Sequence, residues 1–98
     1  MKILIISTSI YPLPVTGYSG TEALVWTTAC EMHKRGHQVA VVAPEGSRLP
    51  DGIELIPVPL REAEEASWQR YRPRLGEFEI IWDHTFQSFV YMDSVGVA

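Results

Sequence analysis

A chain of 98 residues is one domain at most, and 46% hydrophobic residues are enough to build a packed core, so nothing in the composition suggests disorder. A net charge of −4, from 12 acids against 8 bases, provides no basic stripe to displace counterions from a phosphate backbone, which argues against nucleic acid as a partner. The lone Cys30 excludes an intramolecular disulfide framework and permits a reducing compartment.

Lys2-Ile3-Leu4-Ile5-Ile6 is a continuous apolar run of the kind found in a strand buried on both faces. It is too short for a signal peptide or a membrane span, which leads us to expect a cytoplasmic protein with no transmembrane segment. Ser7 to Ser19 is polar, proline-broken and glycine-containing, so the chain leaves the strand there. Ser19-Gly20-Thr21-Glu22 has the spacing of a capping box and opens a helix. Val25, Thr28, Ala29 and Met32 follow at i, i+3, i+4 and i+7, a stripe that can lie on a sheet. Trp26 and Cys30 share a flank beside that stripe, placed for packing under a loop or for an interface. The amides of the first helical turn carry the positive end of the dipole and can receive an anion.

Lys34-Arg35-Gly36-His37 reads as the helix end: cations complement the dipole and Gly36 can take the left-handed conformation. Val39 to Ala43 is a second buried strand stopped by Pro44, and Ile53 to Ile56 is a third, closed by Pro57 and Pro59. Arg61 to Leu75 is helical in composition, with Ala63, Ala66, Trp68, Tyr71 and Leu75 available for packing and Pro73 kinking or ending it. Its arginines alternate with glutamates, the mixed surface of a solvated helix. Glu79 to Trp82 is a fourth strand, Asp83-His84-Thr85 leaves its carboxyl end, and Phe86 to Met92 forms one or two helical turns. This order predicts an α/β fold with a mostly parallel sheet of about four strands in the order 3-2-1-4, the first half of a doubly wound fold. Ligands of such sheets bind at the switch point between strands 1 and 4, where the loops Ser7 to Thr21 and Asp83 to Gln87 meet.

The glycines do not form G-x-G-x-x-G, and no Lys-Ser or Lys-Thr pair follows them to make a P-loop. Glu45, near the end of strand 2, is flanked by Pro44 and Gly46 and reads as a turn residue. Three histidines and one cysteine show no metal-ligand spacing, so no metal is expected. His84, beside Asp83 at the end of strand 4, can bond an acceptor hydroxyl or transfer a proton. It can equally be bonded to Asp83 or a loop carbonyl. His33 reads as a surface residue and His37 as the lead into strand 2. Tyr11, Tyr18 and Phe86 are either cleft aromatics that stack on sugar rings or ordinary hydrophobic cover.

Several stretches together resemble a family: Met1 to Ile5, Pro12-Leu13-Pro14, Gly17-Tyr18-Ser19-Gly20-Thr21-Glu22, and Lys34-Arg35-Gly36-His37-Gln38-Val39. They are similar to the N-terminal domain of GT-B retaining glycosyltransferases, family 4-like, with Ser19 in place of the first glycine of the usual G-G pair. Phe78 to His84 resembles the family's strand ending in histidine, with Glu79 in place of the usual aspartate. The resemblance covers essentially the whole chain, 1–98, as a single Rossmann-like three-layer domain. It implies an incomplete, truncated or split N-terminal half of the GT-B fold.

By that resemblance the chain is the acceptor-side domain of a glycosyltransferase. It would transfer a sugar from a nucleotide-sugar co-substrate to a hydroxyl acceptor when combined with a donor-binding C-terminal domain, and would be inactive alone. The resemblance implies that the donor diphosphate approaches Gly20 and Thr21. Gly17, Tyr18, Glu22, Asp83, His84 and Phe86 are the candidate acceptor or cleft residues, and no catalytic residue is assigned. Glu22 has a second reading as the capping partner of Ser19, and Thr21 as a surface cap. The competing functions are a non-catalytic binding or interaction module and a nucleotide-binding Rossmann domain of other chemistry. The edge of strand 4, with Phe86, Phe89, Val90 and Tyr91 nearby, is a candidate surface for self-association or for a chain carrying the C-terminal domain.

Overall fold

A computed structural model of the chain describes residues 1–9, 12–14 and 20–84. Tyr11, Gly17, Tyr18, Ser19 and Phe86, with the helix expected over Phe86 to Met92, lie outside the described residues. The elements run β1 (Lys2–Ile6), α1 (Gly20–Lys34), β2 (Gln38–Pro44), β3 (Glu54–Val58), α2 (Glu64–Tyr71), a 3-10 helix (Arg72–Glu77) and β4 (Ile80–Asp83). Every pairing is parallel and the strand order is β3-β2-β1-β4, as the sequence predicts.

Side chains alternate across the strands, and the two faces of the sheet carry separate cores. Ile3, Ile5, Val39, Val41 and Ala43 pack with Val25 and Ala29 of α1. Leu4, Ile6, Ala40, Val42, Ile56 and Val58 pack with Trp68, Tyr71 and Leu75 on the other side. The result is three layers, helix–sheet–helix. Trp68 and Tyr71 meet edge to face, centroids 5.7 Å apart, a geometry that adds about 1 kcal/mol to the burial of the two rings.

The stripe expected on α1 is the buried one: Val25 and Ala29 are enclosed, and Met32 and Trp26 pack at its margin. The helix ends as Gly36 predicts. Gly36 N donates to His33 O and His37 N to Met32 O, while Gly36 takes φ +91°, which together make a Schellman cap.

Several boundaries differ from expectation: β2 is not stopped by Pro44 but includes it, paired with Val58, and β4 runs Ile80–Asp83 rather than Glu79 to Trp82. β3 does not close at Pro57 but runs through it to Val58, with Pro57 paired in register with Ala43. Because β3 is an edge strand and Val58 O accepts from Glu45 N, the residues alternating with Val58 turn their backbone groups outward, where the missing amide of Pro57 costs no ladder bond. The second helix begins at Glu64 rather than Arg61, and Ala63 and Ala66 are exposed, so they are not packing residues. It converts to a 3-10 helix after Tyr71, with Pro73 in its first turn, which is the early end that proline imposes.

Arg74 fastens that 3-10 helix to the sheet. Its guanidinium donates to Glu54 (Nη1–Oε2 2.6 Å) and to Glu77 (Nε–Oε2 3.0 Å). The Arg74 hydrogen bonds hold both carboxyls below the usual glutamate value. Groups with lowered pKa values contribute stability that is complete above the unfolded value of 4.5 and is lost as pH falls through the lowered folded values. We therefore expect the wild-type denaturation midpoint to drop below that pH and the drop to shrink in Arg74→Met. Equal acid slopes contradict the assignment. Solvent screening keeps the effect small.

Two glycines separate backbone strain from crowding. A Cβ at Gly36 meets nothing within 4 Å, so Gly36→Ala should cost about 1 kcal/mol for the left-handed backbone alone. At Gly52, φ +92°, the added Cβ would lie 2.7 Å from His33 Cε1 at the tip of its side chain, so Gly52→Ala should cost at least as much and displace the His33 ring. Urea unfolding of the two variants checks the ranking.

Candidate functional site

The ends of β1 and β4 bring a polar group together at the carboxyl edge of the sheet. Ile6 is in register with Val42 on one side and with Asp83 on the other. One residue further on, Ser7 N donates to Val42 O (2.9 Å) and His84 N to Ile6 O (2.9 Å). Ser7, Thr8 and His84 therefore leave the sheet at the same end, on neighbouring strands. Ser7 and Thr8 are buried, and Asp83 and His84 are half-buried.

α1 starts over this edge and contributes Glu22 from its first turn. Glu22 is 4% exposed, and its Oε2 accepts a hydrogen bond from Thr8 Oγ1 at 2.6 Å. The carboxylate sits at the positive end of the helix dipole, where a negative group is favoured, while the hydroxyl offsets part of its desolvation. Gly20 is exposed and Thr21 half-buried, so the outer side of the same turn faces solvent.

The loop after β1 is tied to the loops after β2 and β3. Leu13 is buried in the core on the α1 side; its N donates to Ser47 Oγ (2.9 Å) and its O accepts from Arg48 N (2.7 Å). Ser47 Oγ donates in turn to Pro44 O (2.6 Å). Ser9 O accepts from Arg61 N (2.6 Å), and Ser9 Oγ donates to Glu62 O (2.8 Å). The Glu62 carboxylate is gripped by Arg70 and by Ser67, and the Arg70 hydrogen bond lowers its pKa. Three successive strand ends are stitched into one rim.

The rim contains five of the residues singled out from the sequence: Gly20, Thr21, Glu22, Asp83 and His84. Gly17, Tyr18 and Phe86 lie outside the described residues, as does Ser19 of the expected capping box. Glu22 turns its side chain inward onto Thr8, and its reading as the capping partner of Ser19 falls outside the described residues. Sequence reading placed Ser7 and Thr8 within the ligand loop but did not single them out. Their signal was position: two hydroxyl residues directly after a buried parallel strand stand where such sheets present ligand groups.

The opposite edge of the sheet carries an open groove of about 370 Å³ lined by Lys2, His33, His37, Gln38, Gly52, Glu54 and Phe78, among others. His33 is more than a surface residue, for its ring is seated against Gly52. Lys2 Nζ stands 5.9 Å from the Phe78 ring centroid. Among the described residues no group of three or more His, Cys, Asp or Glu side chains is placed to hold a metal ion. None of the described helices is long and apolar enough to cross a membrane. Compared with known protein families and with curated proteins, the chain matches no family model and no curated protein.

The Thr8–Glu22 contact generates a test of how the rim is held. Thr8→Val keeps the shape but removes the donor, and it should cost about 1–2 kcal/mol in urea unfolding. Thr8→Ser keeps the hydroxyl and should recover most of that. Wild-type stability in Thr8→Val would show that the contact does not hold Glu22.

Proposed function

We propose that this chain is the acceptor-side domain of a nucleotide-sugar-dependent glycosyltransferase of the two-domain GT-B class, family 4-like. The observation that carries the reading is the convergence of the β1 and β4 ends under the first turn of α1. In a doubly wound sheet this is the edge that faces a ligand cleft. The exposed Gly20 and half-buried Thr21 offer amides and a hydroxyl to a donor diphosphate, while Glu22 is turned away into the protein. Asp83 and His84 stand on the neighbouring strand, on the side from which an acceptor hydroxyl approaches. Helix-terminal amides that neutralise the departing diphosphate lower the barrier to glycosyl transfer, because they are already oriented when the charge develops.

In this reading the nucleotide-sugar is a co-substrate held mainly by a second Rossmann-like domain. The protein works in the cytoplasm, and neither a metal nor another cofactor takes part.

Transfer from a panel of nucleotide-sugars tests the proposal. The 98-residue chain alone should form no glycoside. The chain paired with a donor-binding domain should form one, and Gly20→Val should lower kcat/KM by about tenfold or more. Turnover by the chain alone, or unchanged activity in Gly20→Val, contradicts the reading.

A further inference from the structure

Two polar atoms at the carboxyl rim are enclosed yet have no hydrogen-bond partner among the described residues: Ser7 Oγ and His84 Nε2. Ser7 is 3% exposed. A buried hydroxyl left without a partner is costly, so a pair of such atoms at a strand end calls for a guest. The two residues are close in the fold. Ile6 pairs with Asp83, His84 N bonds Ile6 O, and neighbouring strands lie about 4.8 Å apart. Ile3 and Ile5 of β1 and Ile80 of β4 pack on the α1 side, alternation within β4 puts Trp82 there as well, and Ser7 and His84 follow directly on the two strand ends.

The chemistry of the guest follows from its surroundings. A serine hydroxyl donates and accepts, and a neutral imidazole has one nitrogen of each kind, so a ligand hydroxyl satisfies both. Trp82 is 40% exposed and stands two residues before His84, roughly 6.6 Å along the strand. An indole so placed can offer an apolar platform at about the width of one sugar ring along the strand from His84.

We propose that Ser7, Trp82 and His84 form the seat of a neutral pyranose ring. One hydroxyl lies between Ser7 Oγ and His84 Nε2, and the C–H face of the ring lies on the indole. This rests on the reading of the chain as an acceptor-side domain and narrows it: the acceptor is a carbohydrate rather than a lipid or a protein side chain.

The test is NMR of the 98-residue chain titrated with the methyl pyranosides of glucose, galactose and mannose, with glycerol, and with inorganic phosphate. At least one pyranoside should move the Trp82 indole and His84 ring signals together and to saturation, while glycerol and phosphate do not. Trp82→Ala should abolish saturation. Ser7→Ala and His84→Gln should each weaken binding by about threefold to tenfold, the value of one hydrogen bond, with amide spectra otherwise preserved. If Ser7→Ala fails to fold, His84→Gln carries the comparison. The seat is overturned if no pyranoside moves these signals, if glycerol or phosphate moves them equally, or if binding survives in Trp82→Ala. Pyranoside binding with no glycosyl transfer by the paired domains would refute the enzymatic reading and leave the seat standing; transfer without binding at these residues would do the reverse.

Discussion

Strand β1 is hydrogen-bonded along both edges and buried on both faces, and the rest of the fold is arranged by that constraint. In register it joins Gln38–Val42 on one side and Ile80–Asp83 on the other. Its alternating side chains enter both cores. A parallel strand cannot be joined to its neighbours by tight hairpins, so the chain crosses over through α1 from β1 to β2 and through α2 from β3 to β4. Both crossovers carry the chain back, and the loops that follow β1 and β4 consequently open at the same end. The place where the polar groups of the rim gather is thus a consequence of how β1 is buried.

That constraint also explains how much was legible in the sequence. The apolar runs at Ile3–Ile6 and Val39–Ala43 announce strands covered on both faces, and the Gly36 cap announces a helix end; all three appear as read. Pro57 misled because its effect depends on whether β3 lies inside the sheet or at its edge, which a local pattern does not reveal. Ala63 and Ala66 misled for a related reason. Helical composition does not say which side of a short helix meets the sheet, and Trp68, Tyr71 and Leu75 take that side. Within the rim, Gly20, Thr21, Asp83 and His84 were visible because they flank recognisable element ends. Glu22 was identified, but its partner was not. The bond to Thr8 spans fourteen residues and exists because β1 and α1 meet in space.

The two edges of the sheet differ in character. At the amino edge, Lys2, His33, His37 and Glu54 line an open groove with charges of both signs, and Glu54 is committed to Arg74. Charges so mixed favour no single ligand. At the carboxyl edge, the Ser7 and Thr8 hydroxyls, the Glu22 carboxylate and the Nε2 of the half-buried His84 are enclosed, beside backbone links that tie the loops after β1, β2 and β3 together. Held polar groups of this kind lose little freedom when they meet a ligand, which is the condition for orienting one.

The central claim is that recognition takes place at the carboxyl edge of the β1–β4 pair. Mapping of backbone amide shifts with uridine diphosphate and methyl pyranosides as probes tests it most directly. Perturbations should cluster at Ser7–Ser9, Gly20–Glu22 and Asp83–His84. A cluster around Lys2, His33, His37 and Gly52 at the other edge would contradict it.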